Sequence, residues 1–173
     1  TIEEYIVDYN FGEIENIFLD DYFVHDRSVR ESGHDTSYRI DGNCADLNLV
    51  DLNAMLYKYE SDFAHLTEIY FNGEFNGYNS AYWFTISHER AERIEKLMWN
   101  EENGQFFDYN FKTKKQTFFE SASNYIPLWA GLVDDKKAYL MVKSLMNQLK
   151  EKGGITGSTQ ESVGKITKER PQR

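Results

Sequence analysis

From residue 49 to residue 70 the large apolar side chains recur at intervals of three and four: Leu49, Leu52, Leu56, Tyr59, Phe63, Leu66 and Tyr70. No other feature of the chain restricts its fold so tightly. At about 3.6 residues per turn an α-helix lines such a series up on one side, whereas a strand splits it between two faces. The spacing predicts one long helix over roughly residues 46–70 with a single apolar stripe. Asp46 is its expected N-cap. "FNGEFNGYNS" (71–80), with two Asn-Gly pairs, breaks it.

The rest of the chain reads as further helices joined by loops. A second helix is expected over residues 80–98, with Trp83, Ile86, Ile94, Leu97 and Met98 as its apolar positions. Glu89–Arg93 and Glu92–Lys96 are acid-first i,i+4 pairs on its solvated side. "NEENG" (100–104) ends it, and "QFFDYN" and "QTFF", separated by "FKTKK", suit a two-stranded ribbon. Ser123 or Asn124 opens another helix, with Pro127 in the first turn, where proline is tolerated. Asp134 or Asp135 caps the last helix. Ala138, Val142, Leu145 and Leu149 mark its buried side, and Gly153-Gly154 stop it. Residues 1–45 show no sustained periodicity and read as mainly irregular. The tail from Gly153 onward has little apolar content and, taken alone, reads as mobile. The class is therefore all-α with at most a small ribbon. Nothing indicates a parallel sheet or a second domain, and 173 residues suit a single one.

Composition narrows the partners. The net charge is −10, from 29 acids and 19 bases. Nucleic acid and anionic membranes both select basic surfaces, so neither is expected as a partner. Aromatic residues make up 16% of the chain. Most serve packing, but such rings also line pockets for sugars or apolar ligands. Cys44 is the only cysteine, so no intramolecular disulfide can form. That suits a reducing compartment, and the cytoplasm is the expected location. Cys44 itself reads as a small buried or half-buried residue.

"VRESGHDTSYR" (29–39) crowds Arg30, Glu31, His34, Asp35 and Arg39 around Ser32-Gly33. His25-Asp26 and His34-Asp35 do not have the spacing of zinc ligands, and a structural role is expected for each histidine. "NEENG" and "DYNFG" lack the acidic spacing and closing Glu of a calcium loop, and no phosphate-binding loop is present. Paired carboxylates remain. Glycoside hydrolysis commonly needs one acid to protonate the leaving oxygen and one carboxylate on the other face of the sugar. From the residues alone, a solvated loop and a sugar-binding or protein-interaction module stay open beside the hydrolase.

"RESGHDTSYR" followed by "CADLNLVDLNAMLYKYE" resembles the catalytic core of the neutral trehalases of fungi, in glycoside hydrolase family 37. The resemblance continues in order through "GQFFDYN", "FFESAS", "PLWAGL" and "GGITGSTQES" to "RPQR". It implies that residues 1–173 are a partial catalytic domain, part of an (α/α)6 toroid whose upstream and downstream parts lie outside this chain. It implies hydrolysis of α,α-trehalose to two glucoses with inversion. By that resemblance Asp35 is the general acid, and Arg30 and Gly33 touch the sugar. The general base would be a glutamate beyond the C-terminal end, so this segment is expected to be inactive alone. Helix faces that a ring would bury would be exposed in it, which favours aggregation. No cofactor is implied for this segment. In the fungal neutral trehalases a calcium site and regulatory protein contacts belong to an N-terminal region, which this chain does not include. The reading from another class is a non-catalytic sugar-binding or protein-interaction domain of the same helical type.

Overall fold

A computed structural model describes residues 2–13, 17–34, 37–40 and 42–163. It divides into two compact units, Thr1–Asp46 and Leu47–Arg173.

The first unit holds helices α1 (Ile2–Asn10) and α2 (Ile17–Ser32), then short 3-10 turns at Tyr38–Ile40 and Cys44–Asp46. The expectation of a mainly irregular segment is thus corrected. Residues that can break a helix sit at helix ends instead. Asn10 closes α1, Gly12 follows it at φ +73°, and Asp20 lies in the first turn of α2, where acid is favoured. On the inward side of α2 buried His25 and half-buried Ser28 and Ser32 stand among half-buried Leu19, Phe23 and Val29. The polar residues interrupt the apolar period. Tyr9 of α1 stacks on Phe23 of α2, with ring centroids 5.2 Å apart. Cys44 is buried, as expected.

The second unit is built on the hairpin of α3 (Val50–Phe71) and α4 (Ser80–Met98). A ribbon of β2 (Glu74–Phe75) and β3 (Tyr78–Asn79) joins them. Asn76 and Gly77 turn it with φ of 50° and 80°, the left-handed pair of a type I′ turn. The long helix is where its period predicted, but Asp46 does not cap it. Leu49 occupies the N-cap without a side-chain bond, and the Val50 N–H donates to Asp108 Oδ1 at 2.8 Å. The cause is β1 (Leu47–Asn48), which pairs with β6 (Tyr109–Asn110) and so brings Asp108 to the helix start.

The stripe used to predict α3 is not its inner face. Leu52, Tyr59, Phe63, Leu66 and Tyr70 are exposed. The buried side carries Val50, Ala54, Glu60, Ala64 and Thr67 against Ser87, Ile94 and Met98 of α4. Small side chains let the two backbones approach. Arg90 spans the gap, with Nε and Nη2 2.9 and 2.7 Å from the Glu60 carboxylate and Nη1 3.2 Å from Asn53 Oδ1.

Beyond α4 the chain returns in short ribbons. β4 (Trp99–Asn100) pairs with β5 (Gln105–Phe106). β6 pairs with β7 (Lys115–Gln116), the ribbon expected from "QFFDYN" and "QTFF". A 3-10 turn (Ala122–Tyr125) leads into α5 (Ile126–Trp129), with Pro127 in its first turn. Asp134 caps α6 (Asp135–Gln148), its Oδ1 accepting from the Lys137 N–H at 2.8 Å. Met141 and Leu149 are the buried side chains here, while Val142 is exposed, correcting its placement. Met141 fills the core with Val50, Ile94, Met98, Phe106, Tyr125 and Leu149, Leu145 packs against it and Ala138 is half-buried, so the rest of the expected face stands. Gly153-Gly154 do not end α6. They sit in and after the turn between β8 (Lys150–Glu151) and β9 (Gly154–Ile155). Nor is the tail loose as far as it is described. Ser158 bridges to Ser121, and α7 (Gln160–Val163) buries Val163. Its position comes from hydrogen bonds, which a hydropathy reading misses.

Candidate active site

The 29–39 segment is the C-terminal end of α2 and the loop after it. Gly33 follows the last helical residue at φ +73°, a conformation that costs glycine nothing and other residues strain. A Cβ built there would meet nothing within 4 Å, so the backbone lies open on that side. Ser32 Oγ donates to the Val29 carbonyl at 2.7 Å and accepts from the His34 N–H at 3.1 Å. The Ser37 N–H reaches the His34 carbonyl at 2.9 Å. These bonds tie the described residues on either side of Asp35, which itself lies outside the described residues.

Arg30 is exposed at the last turn of α2. Its guanidinium holds Asp26 as a fork, with Nε 2.9 Å from Oδ2 and Nη2 3.3 Å from Oδ1. The pair is i,i+4 with the acid first, the favourable order. Arg30 and Gly33 thus stand three positions apart at one helix end, the one offering charged donors and the other an open backbone. Below them His25 is a structural residue, as expected. Its Nδ1 accepts from the Ala45 N–H at 3.2 Å. The proton on Nε2 then lies toward Asp21 and Asp46, at 3.7 and 3.8 Å. Among the described residues no three His, Cys, Asp or Glu side chains gather as a metal ion would need.

The second unit holds a polar cluster to which the sequence reading gives no role, although Gln105, Glu120, Ser121 and Thr159 lie in the segments "GQFFDYN", "FFESAS" and "GGITGSTQES". Glu120 Oε1 accepts from Gln148 Nε2 at 2.6 Å and Gln105 Nε2 at 3.4 Å, and Oε2 accepts from Thr159 Oγ1 at 3.1 Å. Asn124, fully buried, donates to Gln105 Oε1 at 3.2 Å and to the Phe119 carbonyl at 2.8 Å. Ser121 Oγ donates to Asn124 Oδ1 at 3.1 Å. Burial pushes the Tyr125 phenol above its ordinary range. A hydrogen bond with Ser144 opposes this and the Glu120 charge adds to it. Tyr125 therefore serves the cluster as a neutral hydroxyl. The bonds that join Gln105, Glu120, Gln148 and Thr159 span 15 to 43 residues, so no local pattern shows them as one cluster.

The family model Trehalase matches residues 3–173. A probable trehalase of Eremothecium gossypii is 43% identical over the whole of this chain, which covers 24% of that relative. A cytosolic neutral trehalase of Neurospora crassa is also 43% identical, with 25% of its length covered. The solved neutral trehalase of Saccharomyces cerevisiae superposes with a TM-score of 0.90 at 42% identity, covering 97% of this chain and 32% of that one. A mannosylglycerate hydrolase of Thermus thermophilus shares the fold alone, at a TM-score of 0.56 and 18% identity, over 76% of this chain and 32% of its own. The fold is all-α, part of an (α/α)6 toroid, with short β-ribbons. The chain spans about a quarter of the length of the curated relatives it matches. Matched from its third residue to its last, the chain belongs to the trehalase family.

Proposed function

We propose that the protein carrying this chain hydrolyses α,α-trehalose to two glucoses with inversion, and that this chain supplies the acid half of the site. The observation behind the reading is that relatives named as trehalases match the whole chain, the 29–39 loop included, at 43% identity. In this reaction Asp35 gives its proton to the bridging oxygen as the bond from that oxygen to one anomeric carbon breaks. A water attacks that carbon from the opposite face and passes a proton to a carboxylate base outside this chain. One glucose leaves as the α-anomer and the other forms as β. Arg30 supplies donors to sugar hydroxyls. Gly33 lets a ring approach the backbone. No step requires a metal or cofactor, and calcium or regulatory partners would act through parts of the protein beyond this chain. The cytosol is the proposed location, as for relatives named cytosolic.

An inverting enzyme leaves room for water between its two carboxyl groups, at about 6.5–9.5 Å. NMR of the first sugar formed from trehalose by the whole protein is the test. Equal α- and β-glucose before mutarotation is expected. Only α-glucose would mean retention. No turnover, with retained binding of sugar, would favour a non-catalytic sugar-binding domain.

A further inference from the structure

We infer that Glu120 is a positioning residue: its carboxylate fixes the segment Thr156–Val163, and with it the course of the chain toward the general base. The inference rests on the proposed reaction, in which the base lies C-terminal to this segment.

The segment has little apolar anchorage. Ile155 just before it is exposed, and within it only Val163 is a buried hydrophobic residue. Its place is set by hydrogen bonds: the Thr156 N–H donates to the Leu149 carbonyl at 2.9 Å, and the bonds of Thr159 and Ser162 converge on Glu120. The Thr159 N–H donates to the Glu120 carbonyl at 3.1 Å, and the Ala122 N–H to the Gly157 carbonyl at 3.0 Å. The Glu120 N–H donates to Ser162 Oγ at 2.9 Å. The carboxylate then joins the two sides, since Thr159 Oγ1 donates to one oxygen and Gln148 of α6 to the other. Thr159 Oγ1 also accepts from the Ser162 N–H at 3.2 Å, so the residue held by Glu120 caps α7 in turn. A carboxylate only accepts, and here each oxygen meets donors from a different part of the fold. Alanine would leave Gln148 Nε2 without this acceptor and free the Thr159 hydroxyl from the carboxylate, with only the backbone bond between residues 120 and 159 remaining. Glutamine could still accept from Gln148 and donate to Thr159.

A base displaced by about 1 Å costs on the order of 10²-fold in rate, while the sugar contacts that set KM stay in place. In the whole protein, Glu120→Ala should therefore lower kcat on trehalose by roughly 10²-fold with KM unchanged. Glu120→Gln should recover most of the loss. Amide exchange at Ala122 and Thr159 should quicken in the alanine variant. Thr159→Val, which leaves Glu120, Gln148 and Gln105 joined, should show the same kcat-specific loss and serves if the alanine variant does not fold. Wild-type kcat in Glu120→Ala or Thr159→Val would overturn the inference. So would a loss in KM alone, or a glutamine variant no better than alanine. If the wild-type protein does not turn over trehalose, the proposed reaction fails, and exchange still decides the rest. Unchanged protection in Glu120→Ala would then refute the tie as well, and faster exchange would uphold it.

Discussion

The loop after α2 and the cluster around Glu120 are both dense with polar side chains, yet their bonds run differently. In the loop these bonds join near neighbours in sequence: Arg30 with Asp26, Ser32 with Val29 and His34, Ser37 with His34. Around Glu120 they come from β5, α6, the 3-10 turn at 122–125 and the segment before α7. A cluster tied from many sides rigidifies a fold, because each group satisfies another that is buried. The difference separates a polar segment held by local bonds from one held by the tertiary fold.

The predictions attack that separation. Asp35→Asn keeps the size of the side chain but cannot supply its proton. In the whole protein kcat on trehalose should fall by about 10²–10⁴-fold, the usual worth of a positioned acid, with an unchanged melting temperature. A variant that melts lower and keeps its kcat would reverse the assignment. Asn124→Ala should do the opposite. It strips buried partners from Gln105, Ser121 and the Phe119 carbonyl, and denaturant unfolding should show a loss of about 3 kcal/mol. Any change in KM should be small.

Arg30→Lys keeps charge and loses the planar fork, and Arg30 already uses that fork on Asp26. If its donors also hold sugar hydroxyls, kcat/KM should fall roughly tenfold to a hundredfold, on the order of 1.5–3 kcal/mol. An unchanged kcat/KM would return Arg30 to the surface. The smallest effect on the fold is expected from Gly33→Ala. Nothing stands within 4 Å of the added methyl, so the cost is the left-handed backbone alone, about 1 kcal/mol in a thermal or chemical melt. A much larger cost would mean that the loop is packed as tightly as the cluster.

Local patterns were legible in the sequence and distant pairings were not. The period of α3 and the Asp134 cap of α6 involve residues within one or a few turns of each other, and both stand as expected. The cap of α3 comes from Asp108, 58 residues away, and no window around Asp46 could show it. The stripe on α3 illustrates a second limit. Periodicity tells which side chains share a face, not what covers that face. Here the exposed side is the more apolar one, and the inner side depends on Ala54, Ala64 and the Arg90–Glu60 pair. Helix α2 was missed because His25, Ser28 and Ser32 interrupt the apolar Leu19, Phe23 and Val29 on its inward side. The segment 150–163 was missed because hydrogen bonds hold it where apolar contacts are few. The site residues Arg30, Gly33 and Asp35 came from resemblance to a motif. The structure adds a physical reason for the glycine, its φ of +73°.

The role of Asp35 is tested most directly by changing the leaving group. Trehalose leaves through a sugar oxygen that must be protonated, whereas α-glucosyl fluoride leaves as fluoride and needs far less help from an acid. The comparison is kcat/KM on both substrates for the whole protein and its Asp35→Asn variant. Loss on trehalose of about 10²–10⁴-fold, with loss on the fluoride smaller by at least about tenfold, is the predicted result. Equal losses on both substrates, or full activity on trehalose, would contradict the assignment of Asp35 as the general acid.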